Sequence, residues 1–432
     1  MIRSTMVQLW SAAFLVFTAA ACTPGGGPGP VTAPGPAQPA PTYAWVQATT
    51  GGWGVRAIYP GAVADCPAPL AVRARPDSLF PVLVCQAPVP AGGSVTVGGQ
   101  TFAAPSGWGG GVVAMGDTGC RVKGSTVQNC ADSVAWPFPA LARQAATAQP
   151  SVVVHVGDYH YREQCASSEC GYGWSPWQAD FFDPARPLLQ SAAWVFARGN
   201  HESCDRAGVG WFRFLDARPV LPDSAGGCVY FTDPFAVDLP GVGRILILDT
   251  SCAPSYAYCG LPSTAAADTV AIRRLTADVR MMARQAEGAP TAWIATHTPL
   301  WGIDNPAYPD ATGSMRLRTA VHQGLGGQLP ANVGLFLAGH THLWEVLSFG
   351  GARPATFVVG NGGTMEDNVA PPPAGLLVDG LPLTAYWSTL DFGFSQIRPE
   401  GTGLGVRMIT FNGSTSARCT VTPATGANCT LP

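Results

Sequence analysis

The most evident shortage in this sequence is charge. Only 12% of its 432 residues are Asp, Glu, Lys or Arg, and the formal net charge is −3. The chain therefore has no global positive field with which to hold nucleic acid. It also contains no C-x-x-C pair, so the usual spacing of a cysteine zinc site is missing. No internal repeat is found, which argues against a solenoid or a propeller.

Long apolar runs are scarce as well. The N-terminal run from Leu9 to Ala21 is too short to span a bilayer comfortably. Arg3 precedes it and three alanines end it, so residues 1–21 are predicted to be a signal peptide. Cys22 follows directly, and the arrangement resembles a bacterial lipoprotein signal in which Cys22 is lipidated and tethers the protein to the membrane. Ordinary cleavage, with release of a secreted protein, is the alternative.

The cysteine count agrees with export. There are 13 cysteines, and setting Cys22 aside leaves an even number. An exported chain keeps such cysteines as disulfides, whereas metal ligation by cysteine is the less favoured alternative. A periplasmic or cell-surface lipoprotein, or a secreted protein, is therefore expected. Neighbours in sequence are predicted to pair, as Cys66 with Cys85, Cys120 with Cys130, Cys165 with Cys170, Cys252 with Cys259 and Cys419 with Cys429, which leaves Cys204 and Cys228 over.

Composition divides the rest of the chain into three segments. Residues 22–41 are mostly Gly, Pro, Ala and Thr, which predicts an extended tether. Residues 42–105 contain short apolar runs between turn residues, which indicates a small all-β domain. Residues 111–432 follow a Gly-rich hinge and begin with continuous apolar runs that predict an α/β fold with strands covered on both faces. The clearest helix is predicted over residues 267–287.

Five short polar blocks follow apolar runs in this last segment. They are Gly116-Asp117-Thr118-Gly119, Gly157-Asp158-Tyr159-His160-Tyr161, Gly199-Asn200-His201-Glu202, Thr296-His297-Thr298-Pro299 and Gly339-His340-Thr341-His342. Glycine stands before the first polar residue in four of them and lets the chain turn sharply there. Because ligands in open α/β sheets gather beyond the carboxyl ends of the strands, the blocks are expected to converge.

The donor atoms in these blocks fall into two chemical groups. Hard anionic oxygens, which suit Fe³⁺, come from Asp117, Asp158 and Tyr161. Neutral donors, which suit Zn²⁺, Mn²⁺ or Fe²⁺, come from Asn200, His297 and His340. A carboxylate can bridge two metals about 3.5–4 Å apart, and such a pair generates hydroxide near neutral pH and neutralises phosphoryl oxygens. The blocks therefore predict two metal ions and hydrolysis of a small phosphate ester.

Taken together, the blocks resemble the calcineurin-like metallophosphoesterase superfamily, specifically its purple acid phosphatase branch. Many superfamily members have Asp-x-His in the first block, whereas here Gly119 stands at the His position and Tyr161 follows Asp158 instead. That joint exchange is what the purple acid phosphatases show. The resemblance covers about residues 111–365 and implies a layered β-sandwich flanked by helices, preceded here by the small all-β domain.

The resemblance also implies a role for each residue. The first metal is bound by Asp117, Tyr161 and His342 together with Asp158. Asp158 bridges to the second metal, which Asn200, His297 and His340 complete. The implied metals are Fe³⁺ with Fe²⁺, Zn²⁺ or Mn²⁺, with a charge-transfer colour through Tyr161. His201 contacts the phosphate and protonates the leaving oxygen, and Glu202 orients that imidazole.

The sequence therefore predicts an exported phosphatase that hydrolyses phosphate monoesters by attack of metal-bound hydroxide. Two alternatives stay open: a phosphodiesterase or nucleotidase on the same metal pair, and a non-catalytic surface binding protein stabilised by metals. The intact His201 and complete ligand set argue against the second. Plant members of the family carry extra histidines after the position of His297, and none follows here before His322, so different substrate contacts are expected. The sequence makes no prediction about the oligomeric state.

Overall fold

The computed structural model describes residues 39–165, 169–219, 227–254, 260, 265–303, 313–367, 369, 371–373 and 375–431. The predicted signal peptide, Cys22, most of the tether and Cys259 lie outside these residues. Within them, no helix is long and apolar enough to cross a membrane.

Most of the described chain consists of strands. The N-terminal strands are β1 (Tyr43–Thr49), β2 (Gly52–Pro60), β3 (Ala71–Ala74), β4 (Val82–Pro88), β5 (Ser94–Val97) and β6 (Gln100–Ala103). The central strands are β7 (Val112–Met115), β8 (Val122–Lys123), β9 (Thr126–Val127), β10 (Val152–His155), β11 (Arg162–Gln164), β12 (Ala193–Phe196), β13 (Phe235–Leu239), β14 (Gly243–Ile247), β15 (Ala292–Ala295), β16 (Val333–Ala338), β17 (Trp344–Ser348) and β18 (Ala355–Val359). The C-terminal strands are β19 (Leu377–Val378), β20 (Leu381–Pro382), β21 (Ala385–Thr389), β22 (Gly393–Glu400), β23 (Gly403–Thr410), β24 (Thr415–Thr422) and β25 (Gly426–Thr430).

Helices lie between the central strands. They are α1 (Phe138–Thr147), α2 (Trp174–Trp177), α3 (Asp183–Leu189), α4 (Gly208–Phe214), α5 (Ala265–Ala286) and α6 (Met315–Leu325). A π-helical turn over Gln178–Phe182 joins α2 to α3, and a 3₁₀ turn covers Asn200–Glu202.

Two large sheets form the central layers. The first has eleven strands in the order β25-β24-β23-β22-β7-β10-β12-β1-β2-β4-β3, and the second has seven in the order β13-β14-β15-β16-β18-β17-β21. In the first sheet β7, β10 and β12 are parallel, and in the second β14, β15, β16 and β18 are parallel. This mixed α/β architecture of layered sheets and flanking helices confirms the predicted fold class.

Apolar packing holds the layers together. Side chains from both sheets, such as Val154 and Leu335, share one buried cluster. The other face of the first sheet packs on α1 and α3 through residues such as Leu141, and that of the second sheet packs on α5 and α6 through Val279 and Leu317. Each aliphatic side chain buried in this way contributes about 1.5–3 kcal/mol relative to exposure. The continuous apolar strands of the sequence are therefore explained by burial on both faces.

The N-terminal segment is entirely strands and turns, as its sequence predicted, but it is joined to the main fold. β1 pairs in parallel with β12 through Val46 opposite Ala193, and β2, β4 and β3 extend the sheet from there. Only the hairpin of β5 and β6 forms a sheet of its own among these strands. The backbone thus continues the first sheet through residues 43–88, while the domain boundaries themselves stay a prediction.

Candidate metal centre

The two sheets bring their polar blocks to one edge of the molecule. Asp117, Asp158 and Asn200 come shortly after β7, β10 and β12 of the first sheet, and His297 and His340 come after β15 and β16 of the second. All five blocks thus begin beyond carboxyl strand ends, where ligand sites form in α/β sheets.

The backbone at this edge is held in an uncommon conformation. Asp117, Asp158 and His340 have φ values of 55°, 59° and 75°, in the left-handed region that residues other than glycine rarely adopt. The neighbouring glycines permit close approach, because a Cβ at Gly339 would lie 2.4 Å from Asp117 Oδ2 and one at Gly199 would lie 2.0 Å from Asp158 Oδ1. Such strain persists where the surrounding structure enforces it, and it concentrates at functional sites.

The first group of donors surrounds the Tyr161 hydroxyl. Tyr161 Oη lies 2.7 Å from Asp158 Oδ2, 3.1 Å from Asp117 Oδ1 and 2.9 Å from His342 Nε2. All four side chains are buried. The four donors expected at the first metal therefore meet at one point.

The second group lies on the other side of Asp158. His297 Nε2 is 2.9 Å from Asn200 Oδ1 and 3.3 Å from Asp158 Oδ2. Donor atoms of Asp158, His297 and His340 all lie within 4.8 Å of one another. Because Asp158 takes part in both groups, it occupies the position expected of a bridging carboxylate.

Backbone carbonyls orient two of the imidazoles. His342 Nδ1 lies 2.9 Å from the Met365 carbonyl oxygen, and His297 Nδ1 lies 2.9 Å from that of Val156. Each Nδ1 donates its proton to the carbonyl, so each Nε2 faces the donor cluster with a lone pair. This is the usual arrangement around metal-ligating histidines.

The electrostatics of the cluster call for cations. Burial raises the pKa of Tyr161 and of Asp117 well above their ordinary values, and the nearby positive charges of Arg121 and His297 oppose these shifts only in part. Burial lowers the pKa of both His340 and His342 to about 3, which keeps these rings neutral, as metal ligation requires. The donor set, its geometry and its charge deficit therefore fit two metal ions.

His201 lies beside this cluster. Its ring centroid is 3.8 Å from that of Tyr161, and its backbone N–H donates to Asp158 Oδ1 at 2.9 Å. Burial lowers the pKa of His201 to about 4, although the charge of Asp158 opposes the shift. The position fits a group that touches a substrate held at the two metal subsites.

The expectation that Glu202 orients the His201 imidazole is wrong. Glu202 Oε2 accepts the backbone N–H groups of Asp158 at 3.0 Å and Gly199 at 3.1 Å, and its Oε1 accepts that of Tyr159 at 2.9 Å. The 3₁₀ turn directs this carboxylate back into the loops. Glu202 therefore fixes the backbone of two metal-binding blocks rather than the ring.

The carboxylate that does face the imidazole belongs to Glu163, which sequence reasoning missed. Glu163 Oε1 lies 3.3 Å from His201 Nδ1 and also accepts from Arg206 Nε. Arg206 Nη2 in turn lies 2.7 Å from His201 Nδ1 and 2.8 Å from its Nε2. The only available signal was the position of Glu163 two residues after Tyr161, which does not reveal where its side chain points.

These groups line a cavity of about 310 Å³. The lining residues are Arg121, Lys123, Asp158, Tyr161, Glu163, Asn200, His201, Arg206, His340, His342 and Asp367. The predicted ligands Asp117 and His297 are fully buried and are not among the lining residues. The cavity is thus polar and open to a small charged molecule.

Five disulfides join described residues of the chain. The structure contains Cys66–Cys85, Cys120–Cys130, Cys165–Cys170, Cys204–Cys228 and Cys419–Cys429. Four of the predicted pairs are thereby confirmed, and the two cysteines left over bind each other. The remaining predicted pair, Cys252 with Cys259, includes a residue outside the described part of the chain.

A family model described as calcineurin-like phosphoesterase matches residues 111–343, more than half of the chain. The chain therefore belongs to the calcineurin-like phosphoesterase family. Membership implies a metal-dependent phosphoester hydrolase with a dinuclear metal centre. No curated protein matches the chain.

Several solved structures are similar to this chain. One is the purple acid phosphatase PPD1 from yellow lupin (Lupinus luteus) seeds, with a TM-score of 0.52 and 13% identity over 91% of this chain and 74% of that one. Another is GAP50, described as the anchor in the inner membrane complex of Plasmodium, with a TM-score of 0.44 and 13% identity over 70% of this chain and 85% of that one. PhoD has a TM-score of 0.43 and 11% identity over 74% of this chain and 70% of that one.

Proposed function

We propose that this protein is an exported phosphatase of the purple acid phosphatase type, acting on phosphate monoesters. The observation that carries the proposal is the convergence of seven donors from five separated blocks around the shared carboxylate of Asp158. Asp117, Tyr161 and His342 would hold an Fe³⁺ ion with Asp158. Asn200, His297 and His340 would hold Fe²⁺, Zn²⁺ or Mn²⁺ with the same carboxylate.

Bound metals would supply an activated water and neutralise negative charge on the phosphoryl oxygens. The chain itself positions the ester and handles its proton. His201 Nδ1 lies 3.1 Å from the His160 carbonyl oxygen, an acceptor that keeps a proton on this nitrogen. His201 Nε2, which lies 2.8 Å from Arg206 Nη2, is therefore the nitrogen left to exchange a proton with the leaving oxygen. With the pKa of this ring lowered to about 4, proton donation is favoured in acid, which supports an acid phosphatase.

The disulfides of the described residues support export, because such bonds persist in oxidising compartments. A membrane tether through lipidated Cys22 belongs to the same proposal. Mass analysis of the mature N-terminus distinguishes lipidated Cys22 from simple cleavage.

The decisive experiment combines metal analysis, a visible spectrum and an ester panel on the purified protein. Two metal ions per chain, a broad tyrosinate–iron band and faster hydrolysis of monoesters than of diesters are expected. The variant Tyr161→Phe should lose the band, and His201→Ala should lose turnover while keeping its metals. Full turnover in His201→Ala would reject its role as acid, and a preference for diesters would favour the phosphodiesterase alternative.

A further inference from the structure

One cation beside the proposed metal centre has no anionic partner among the residues that the structure describes. Arg121 follows the first block, and its guanidinium carbon lies 5.1 Å from the centroid of the Tyr161 ring. Its Nε is buried without a hydrogen-bond partner, and no carboxylate of the described residues lies within hydrogen-bond distance of its guanidinium. A buried donor in this state carries a desolvation cost that an incoming anion would remove.

The nearest polar atom does not satisfy this guanidinium. Arg121 Nη2 lies 3.4 Å from His342 Nδ1, but that nitrogen donates its proton to the Met365 carbonyl oxygen and cannot accept another. This contact also places Arg121 behind the ring edge opposite the metal-facing Nε2. The guanidinium and the metal-facing Nε2 thus lie on opposite edges of one imidazole, and both side chains line the same cavity.

A second cation lies on the same wall of the cavity. Lys123 is the single lysine of the 432-residue sequence, and its side chain is 51% exposed. Lys123 Nζ lies 3.3 Å from Glu163 Oε2, yet Glu163 also pairs with Arg206. One carboxylate therefore faces two cations on this side of the cavity, and the other acidic residues of the lining are Asp158 and Asp367.

The wall is rigid before any substrate arrives. The disulfide Cys120–Cys130 encloses the segment that carries Arg121 and Lys123, and β8 pairs with both β9 and β11. None of the described lining residues is aliphatic. A preorganised, polar and cationic wall favours a charged substrate group because little ordering is needed on binding.

We infer that Arg121, with Lys123 beside it, binds a second phosphate of the substrate, so that phosphate monoesters carrying another phosphate group are the preferred substrates. This inference rests on the proposed phosphatase function. The planar guanidinium of Arg121 can donate two parallel hydrogen bonds to phosphate oxygens, while the ammonium of Lys123 contributes a point charge.

The test compares glucose 6-phosphate with glucose 1,6-bisphosphate on the full, metal-loaded protein. The wild type should show a kcat/KM for the bisphosphate about tenfold or more above that for the monophosphate, the usual effect of a charge-assisted hydrogen bond. Arg121→Gln should abolish this ratio through KM, Lys123→Gln should reduce it, and the charge-retaining Lys123→Arg should keep most of it. Arg407→Gln, an exposed arginine on β23, is the control that leaves the ratio intact. Metal content is measured for every variant.

A ratio near one in the wild type, or an unchanged ratio in Arg121→Gln, would overturn the inference while leaving the phosphatase function in place. If the wild type hydrolyses neither ester, the proposed function fails. Calorimetric titration with phosphate anions then still tests whether Arg121 and Lys123 bind a second phosphate. Arg121→Gln should then weaken the binding of inorganic pyrophosphate about tenfold and the binding of orthophosphate less. Equal weakening of both anions would also overturn the inference.

Discussion

Replacing Glu163 by Gln tests which carboxylate positions the His201 ring. The change keeps the shape of the side chain but removes the charge that lies 3.3 Å from His201 Nδ1. Losing a hydrogen bond to a charged group costs about 1.5–3 kcal/mol, which corresponds to about a ten- to hundredfold lower kcat. KM should change less, because Glu163 acts on the substrate through the imidazole.

The pH profile separates positioning from a purely structural role. The hydrogen bond that the His201 ring donates to Glu163 raises the pKa of His201 against the larger effect of burial. Because the protonated ring is the active acid, activity falls as pH rises through this pKa. Removing the carboxylate lowers the pKa further, so the descending limb of kcat should move to lower pH in Glu163→Gln.

Glu202→Gln is the matched comparison. Its two carboxylate oxygens accept three backbone N–H groups, and Gln replaces one of these oxygens with an amide nitrogen that cannot accept a hydrogen bond. This variant should lose bound metal and thermal stability. In the molecules that retain metal, the descending limb of the pH profile of kcat should stay in place. The assignment of Glu163 as the residue that positions His201 would be refuted if Glu163→Gln kept the wild-type kcat and pH profile. It would also be refuted if the descending limb of the pH profile moved in fully metal-loaded Glu202→Gln.

Two further predictions concern stability. Removing the metals with a chelator should lower the free energy of unfolding by about 4 kcal/mol per site. The reference is protein in a free metal concentration a thousandfold above Kd, and the measurement is chemical denaturation. An unchanged midpoint would contradict metal binding at the cluster. Burial raises the pKa of Asp278 to about 7, opposed by Arg274, whereas an unfolded Asp titrates near 3.9. The ionised form therefore costs stability above pH 7, and this cost disappears as pH falls toward 4. Asp278→Asn should raise the free energy of unfolding by about 1–2 kcal/mol at pH 8, after allowance for the lost pair with Arg274, and by little at pH 4. An equal difference at both pH values would disprove this explanation.

The sequence predicted the central strands well because burial on both faces leaves an unbroken apolar run. The runs at Val112–Met115 and Ala292–Ala295 coincide with β7 and β15. The helix predicted over residues 267–287 is α5, which Gly288 ends with φ +74°. The helical stretch from α2 to α3 was missed because prolines at its helical positions obscure the periodic pattern.

Long-range placement was beyond the reach of local patterns. The parallel pairing of β1 with β12 joins segments about 150 residues apart, and nothing in either segment signals its partner. The same limit explains the choice of Glu202 over Glu163, since both carboxylates adjoin a metal-binding block. Which of them meets His201 depends on how two loops from different strands face each other. The convergence of the seven donors could be predicted because strand ends fix it.

The placement of the donors on both sheets has a mechanical consequence. Asp117, Asp158 and Asn200 extend from one layer, and His297 and His340 from the other. A cation bound by donors from both layers would link the two sheets at the edge where the apolar core ends. Maturation of the fold is therefore coupled to the metal supply of the compartment in which the chain folds. In a metal-poor compartment, this edge of the sandwich would be the first place where the two layers separate.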